Sequence, residues 1–173
     1  MTPTSNPAAE GAQPVDLGGR ITDALLEGAP LGSLLGIRAD DFEQLYALGH
    51  GFYQQARYEE ASRIFGFLAL HDHMEPRFIL ALGASLQMTG RYEEAVRVYT
   101  VAVVLDPADP VPTFHLAECL IALERIQDAV EGLEMVIAQC DPGQHDALLE
   151  RADGLRGLLA GQAAGAEEAR HEH

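Results

Sequence analysis

Seven histidines and two cysteines are the side chains of this 173-residue chain best suited to hold a metal or attack a substrate. His71 and His73 form one H-x-H pair, and His171 and His173 another. Two imidazoles at that spacing need at least one further ligand to make a zinc site, and no Cys or His cluster supplies it. Cys119 and Cys140 have neither metal nor redox spacing. They read as packed thiols, which fits a reducing compartment. No Ser or Cys stands in a nucleophile motif, and the glycines are scattered instead of forming a phosphate loop. Asp72 and Asp106 fall where helices end, so capping explains them better than paired acid and base catalysis. The expectation is a protein without catalytic residues, metal or cofactor.

The elements that carry these residues repeat every 34 positions. Leu48, Leu82 and Leu116 are one period apart, as are Gly49, Gly83 and Ala117, then Arg57, Arg91 and Arg125, then Ala61, Ala95 and Ala129. That period predicts three tetratricopeptide units, 42–75, 76–109 and 110–143, each a pair of antiparallel helices that bury their apolar faces by stacking. The predicted core includes Leu45, Leu48, Phe52, Phe65 and Leu68 in the first unit, Ile79, Leu82, Leu86, Tyr99 and Ala102 in the second, and Leu120, Leu133 and Val136 in the third. Gly49, Gly83 and Ala117 are small because two helices cross there. The third unit departs most, with Thr113 at an early core offset and Pro142 one place late. Only Pro107 closes its unit at the expected position.

The fold class expected is therefore all-α, a short right-handed solenoid with a helical N-terminal segment and a C-terminal capping helix. Residues 1–16 have a disordered composition without a signal peptide. Residues 17–41 carry Ile21, Leu25, Leu26, Leu34 and Leu35. These apolar residues either dimerise or fold back as a cap on the first unit. Residues 144–160, with Leu148, Ala152, Leu155 and Leu159 on one face, read as the cap on the third unit, and 161–173 as a frayed tail. A formal charge of −16, with 11 Arg and no Lys, disfavours nucleic acid and anionic membranes as partners. No apolar run is long enough to span a bilayer.

Arrays of this kind bind proteins far more often than they catalyse. The first helices place Glu43, Tyr46, His50 and Tyr53, then Arg77, Leu80, Ala84 and Gln87, then Val111, Phe114, Glu118 and Ile121 on one stripe. Aromatic and aliphatic side chains dominate it, as suits a groove for an extended apolar peptide. A clamp for acidic C-terminal tails needs Lys, Arg and Asn here, and only Arg77 is basic.

The stretch from Ile37 to Val136 resembles the class II chaperones of bacterial type III secretion. The resemblance rests on Leu45-Tyr46-Ala47-Leu48, Arg57-Tyr58-Glu59-Glu60-Ala61, Phe67-Leu68-Ala69-Leu70-His71-Asp72-His73, Arg77-Phe78-Ile79-Leu80-Ala81-Leu82-Gly83-Ala84 and Phe114-His115-Leu116-Ala117-Glu118-Cys119-Leu120. It implies a cytoplasmic chaperone that keeps hydrophobic translocator proteins soluble and export-competent, and an N-terminal region that mediates homodimerisation. It also implies groove residues Tyr46, Tyr53, Tyr58, Leu80 and Tyr99, with His50 where the family often has an aromatic. A general tetratricopeptide adaptor without a secreted client is the alternative reading.

Overall fold

The computed structural model describes Gly32 and residues 38–171, with side chains through Gly161. The apolar residues Ile21, Leu25, Leu26, Leu34 and Leu35 lie outside the described residues. Seven helices follow one another among the described residues: α1 Ala39–Gln54, α2 Tyr58–His71, α3 Pro76–Met88, α4 Tyr92–Leu105, α5 Pro110–Ala122, α6 Ile126–Gln139 and α7 Asp146–His171. They form an all-α tetratricopeptide solenoid in which each helix packs chiefly on the one before and the one after.

The boundaries follow from local chemistry. At the starts of α3 and α5, Glu75 and Asp109 accept hydrogen bonds from the backbone N–H of Arg77 and Val111, and Pro76 and Pro110 occupy the first helical position. An acidic cap before proline satisfies an orphan donor where proline has none to lose. Between the helices of each unit the chain turns through a left-handed residue: Ala56, Gly90 and Glu124 have φ of 57°, 74° and 59°. The N–H of Arg57, Arg91 and Arg125 then closes on the carbonyls of Phe52, Leu86 and Leu120, a Schellman turn made three times. Those arginines precede α2, α4 and α6 and reach the acid three residues on, Glu60, Glu94 or Asp128.

The helix crossings explain the small residues. A Cβ on Gly49 would stand 2.7 Å from the Phe65 ring, and one on Gly83 would stand 2.6 Å from the Tyr99 ring. Unit three reverses the sizes. Ala117 replaces the glycine, Leu133 replaces the ring, and the glycine moves to Gly132, where a Cβ would come within 3.4 Å of Ala117 Cβ. Close packing is conserved in volume although the residues change.

Two expectations need correction. Leu48 is 49% exposed and is no core residue. Leu82, one period later, lies 3.9 Å from the place of a Cβ on Gly66 of the preceding unit, whereas no described unit precedes α1. The capping helix was expected to stop at Ala160 and give way to a frayed tail, but α7 continues to His171. Its later part is rich in Ala and Glu, both strong helix formers. Ala152 and Leu159 of α7 are buried against the third unit, with Leu148 and Leu155 packed beside them.

Candidate peptide-binding face

The helices α1, α3 and α5 lie side by side and are tied by polar contacts across the units. Arg77 donates to Glu43 at 2.8 Å, and Gln87 Nε2 donates to Glu118 at 3.0 Å. Hydrogen bonds with Glu75 first, and then Glu43, push the Arg77 guanidinium above its usual pKa, so it is a permanent cation on this face.

The end formed by units one and two is aromatic. Tyr46 meets His50 edge-on with ring centroids 4.7 Å apart, and both lean on the buried Phe65 at 5.7 Å. Phe78, itself buried, lies 5.5 Å from Tyr46. Tyr53 packs edge-on against Tyr58 at 5.1 Å. Tyr46, Tyr53, Tyr58, Leu80, Ala84 and Gln87 are half-buried and His50 is exposed, so each presents part of its surface. Burial raises the phenol pKa of both Tyr46 and Tyr53, with Arg77 acting against it at Tyr46, so both stay neutral at physiological pH. Neutral rings with one wet edge are good anchors for an apolar segment.

The end formed by units two and three is polar and internally satisfied. Tyr99 donates its hydroxyl to Gln87 Oε1 at 2.9 Å, and Gln87 donates onward to Glu118. The Glu118 carboxylate also pairs with His115 Nδ1 at 3.0 Å and receives Arg151 of α7 at 3.0 Å. Burial works to raise the Glu118 pKa, but the bonds from His115 and Gln87 outweigh it, and the carboxyl is held below its ordinary range. A cavity of about 340 Å³ adjoins this network, between Gln87, Met88, Tyr92, Glu118, Ile121 and Leu155.

Most of the predicted stripe therefore shares one face. Tyr99 and Phe114 do not present surface there, since both are fully buried. Tyr99 fills the crossing at Gly83, and burial carries its phenol well above the normal value. Phe114 is roofed by α7, whose Arg151 guanidinium lies 4.5 Å from its ring centre. Sequence reasoning missed Arg151 because it sits in the non-repeated helix α7, 33 residues from its partner Glu118. It left Glu118 in the stripe without a role, although three donors converge there.

The histidine and cysteine chemistry has plainer uses. His71 Nδ1 bonds the Phe67 carbonyl at 2.8 Å and its ring lies against Phe67. Asp72 and Asp106 end α2 and α4 as helix caps. Burial, and then the Glu118 charge, pushes the Cys119 thiol up to about 12. Among the described residues no group of three or more His, Cys, Asp or Glu could hold a metal ion, and no helix is long and apolar enough to cross a membrane.

Comparison with known proteins adds the context. Tetratricopeptide-repeat profiles match residues 42–73 and 86–152. The low calcium response locus protein H of Yersinia pestis is 38% identical over 106 residues, covering 61% of this chain and 63% of that protein. This chain thus matches somewhat under two thirds of that relative's length. The Yersinia enterocolitica type III secretion chaperone SycD, solved with a peptide of the translocator YopD, is 32% identical at a TM-score of 0.70, covering 73% of this chain and 98% of SycD. A type III secretion complex from Aeromonas hydrophila aligns at a TM-score of 0.79 and 31% identity, covering 84% of this chain and 98% of that one. With its periodic helices, small-residue crossings and aromatic first-helix face, the chain belongs to the tetratricopeptide translocator chaperones of bacterial type III secretion.

Proposed function

We propose that this protein is a non-catalytic cytoplasmic chaperone that holds an extended, apolar segment of a hydrophobic translocator against the face formed by α1, α3 and α5. The observation that carries the reading is the row of partly or fully exposed aromatic groups Tyr46, His50, Tyr53 and Tyr58, the first two of them propped from below by Phe65. A translocator carries segments that aggregate in water, and covering part of that surface keeps it ready for export. The SycD relative binds a translocator peptide, which supports the same class of client here. The high negative charge keeps the loaded complex soluble.

The test is a calorimetric titration with a peptide from the N-terminal region of the candidate client. Tyr46→Ala combined with Tyr53→Ala weakens binding by several kcal/mol, at roughly 2 kcal/mol for each anchor, while the circular dichroism stays helical. Unchanged affinity in the folded double variant rejects this face as the client site.

Residues 17–37 serve, in this reading, as a homodimerisation segment when no client is present. A SycD structure with an alternative dimer and the exposed Leu48 within α1, the first described repeat helix, support it. Sedimentation equilibrium of the full chain against one starting at Arg38 decides the matter. A full chain that stays monomeric at tens of micromolar, on the order where mass action populates weak dimers, leaves the segment as a cap within one chain.

A further inference from the structure

The face opposite the aromatic row also bears the 34-residue period. Between α2 and α4, and again between α4 and α6, equivalent clefts open over the first helix beneath, with volumes of about 290 and 260 Å³. Leu82 and Leu86 line the first at the positions that Leu116 and Leu120 take in the second. Their chemistry otherwise diverges. Arg63, Arg91 and Arg97 line the first cleft with one acid, Glu94, at the position of Asp128, whereas the second has Glu131 where the first has Arg97.

Three residues set the second cleft apart. Gly132 stands where the first has Val98, so the side chain that would fill it is missing. Met135 lies at its edge and is half exposed. Thr113 stands where the other units have Leu45 and Ile79. It is 4% exposed, and its hydroxyl has no hydrogen-bond partner. A buried hydroxyl left single among apolar walls is a feature that a well-packed core avoids. The cleft also continues an apolar line. Phe67, Val101 and Met135, one per unit at the same offset, are all exposed, as are Leu70 and Val104 three residues further on. Regular exposure of large apolar groups along second helices marks a contact surface.

We propose that the cleft between α4 and α6 docks a basic amphipathic helix of a protein partner, with an apolar side chain over Gly132 and Lys or Arg beside Asp128 and Glu131. A helix suits the trough between two parallel ridges of side chains. Its charge follows from the border: Asp128 is already paired with Arg125, but Glu131 receives only the Gln127 amide at 3.3 Å and keeps its charge for a cation. This surface is separate from the client face, so both can be occupied at once.

Fluorescence anisotropy with a labelled Leu/Lys amphipathic helix of about 18 residues, long enough to be helical, tests the docking at physiological salt. The full-length protein binds this probe and not its Leu/Glu counterpart. Gly132→Ala, Met135→Gln and Glu131→Arg each weaken the probe by about tenfold, as expected for anchors at the centre of a contact. The Tyr46→Ala, Tyr53→Ala variant binds it as the parent does. Cleft variants that bind like the parent, equal binding of the Leu/Glu helix, or loss of the probe in the tyrosine variant each overturn the proposal. So does a Met135→Gln protein that sediments as a smaller species than its parent, because a second copy then covers the cleft. Gly132→Ala places a Cβ no nearer than 3.4 Å to Ala117, and Met135 and Glu131 are exposed, so the three variants retain the fold.

Discussion

The two ends of the first-helix face solve different problems with the same repeated scaffold. At the end of units one and two, the rings of Tyr46 and His50, and those of Tyr53 and Tyr58, touch in pairs and leave part of their surface in water. At the end of units two and three, Tyr99, Gln87, Glu118, His115 and Arg151 spend their polar groups on one another. An aromatic edge left wet gains free energy when a client covers it. A polar network already closed gains little, and must be opened before another donor can enter. In the proposed reading, affinity resides in the first end, while the second holds the cap.

The largest effect should come from removing the support of the aromatic end. Phe65→Ala empties the space against which Tyr46, His50 and Gly49 rest, and should cost about 3–5 kcal/mol in thermal or urea unfolding. Client affinity should fall with it at temperatures where the variant is still folded. A variant as stable as the parent would mean that the rings hold themselves in place.

Glu118→Ala sharpens the contrast. It leaves Arg151, His115 and Gln87 without their shared acceptor and should destabilise by roughly 1–3 kcal/mol, with client affinity changed less than about threefold. The acid limb of stability should change too. Since the folded state holds the Glu118 pKa below its ordinary value of 4.5, the unfolded chain binds more protons in that range. Its contribution is therefore complete above pH 4.5 and disappears as the pH falls through the folded value. Glu118→Gln should flatten the stability profile below pH 4.5, measured by urea midpoints. An unchanged acid limb would show that other carboxylates control it.

The smallest effect touches both ends equally. Ala56 and Glu124 occupy the left-handed turn position that Gly90 fills in unit two. Replacing either by Gly should raise stability by about 0.5 kcal/mol, the balance between relief of the left-handed conformation and the greater freedom of glycine in the unfolded chain. A loss of stability would mean that the Schellman turn tolerates the side chain without strain.

Much of this was readable from spacing alone, because repetition exposes the role of a position by showing it more than once. Ala61, Ala95 and Ala129 are fully buried as their period implies, and Gly49 and Gly83 sit at crossings. Tetratricopeptide architecture followed from these few residues. Repetition misleads where a unit has no neighbour. Leu48 copies Leu82 yet is exposed, and Phe114 copies Tyr46 and Leu80 yet is covered by α7. Arg151 lies outside the period, so its bond to Glu118 had no signal in any repeated pattern. Gly132 was visible in the sequence, but only its distance to Ala117 shows that the small residue has crossed from one helix of the unit to the other.

That each helix leans chiefly on its chain neighbours has a kinetic consequence. Contacts between segments close in sequence need little loop closure, so this topology belongs among the rapidly folding ones. A linear stack can nucleate at any unit and propagate outwards, and it can open from an end without losing the rest. Release of α7 would uncover Phe114 while α1 to α4 stay assembled, a partial opening that amide exchange would register as a protection gradient along the chain.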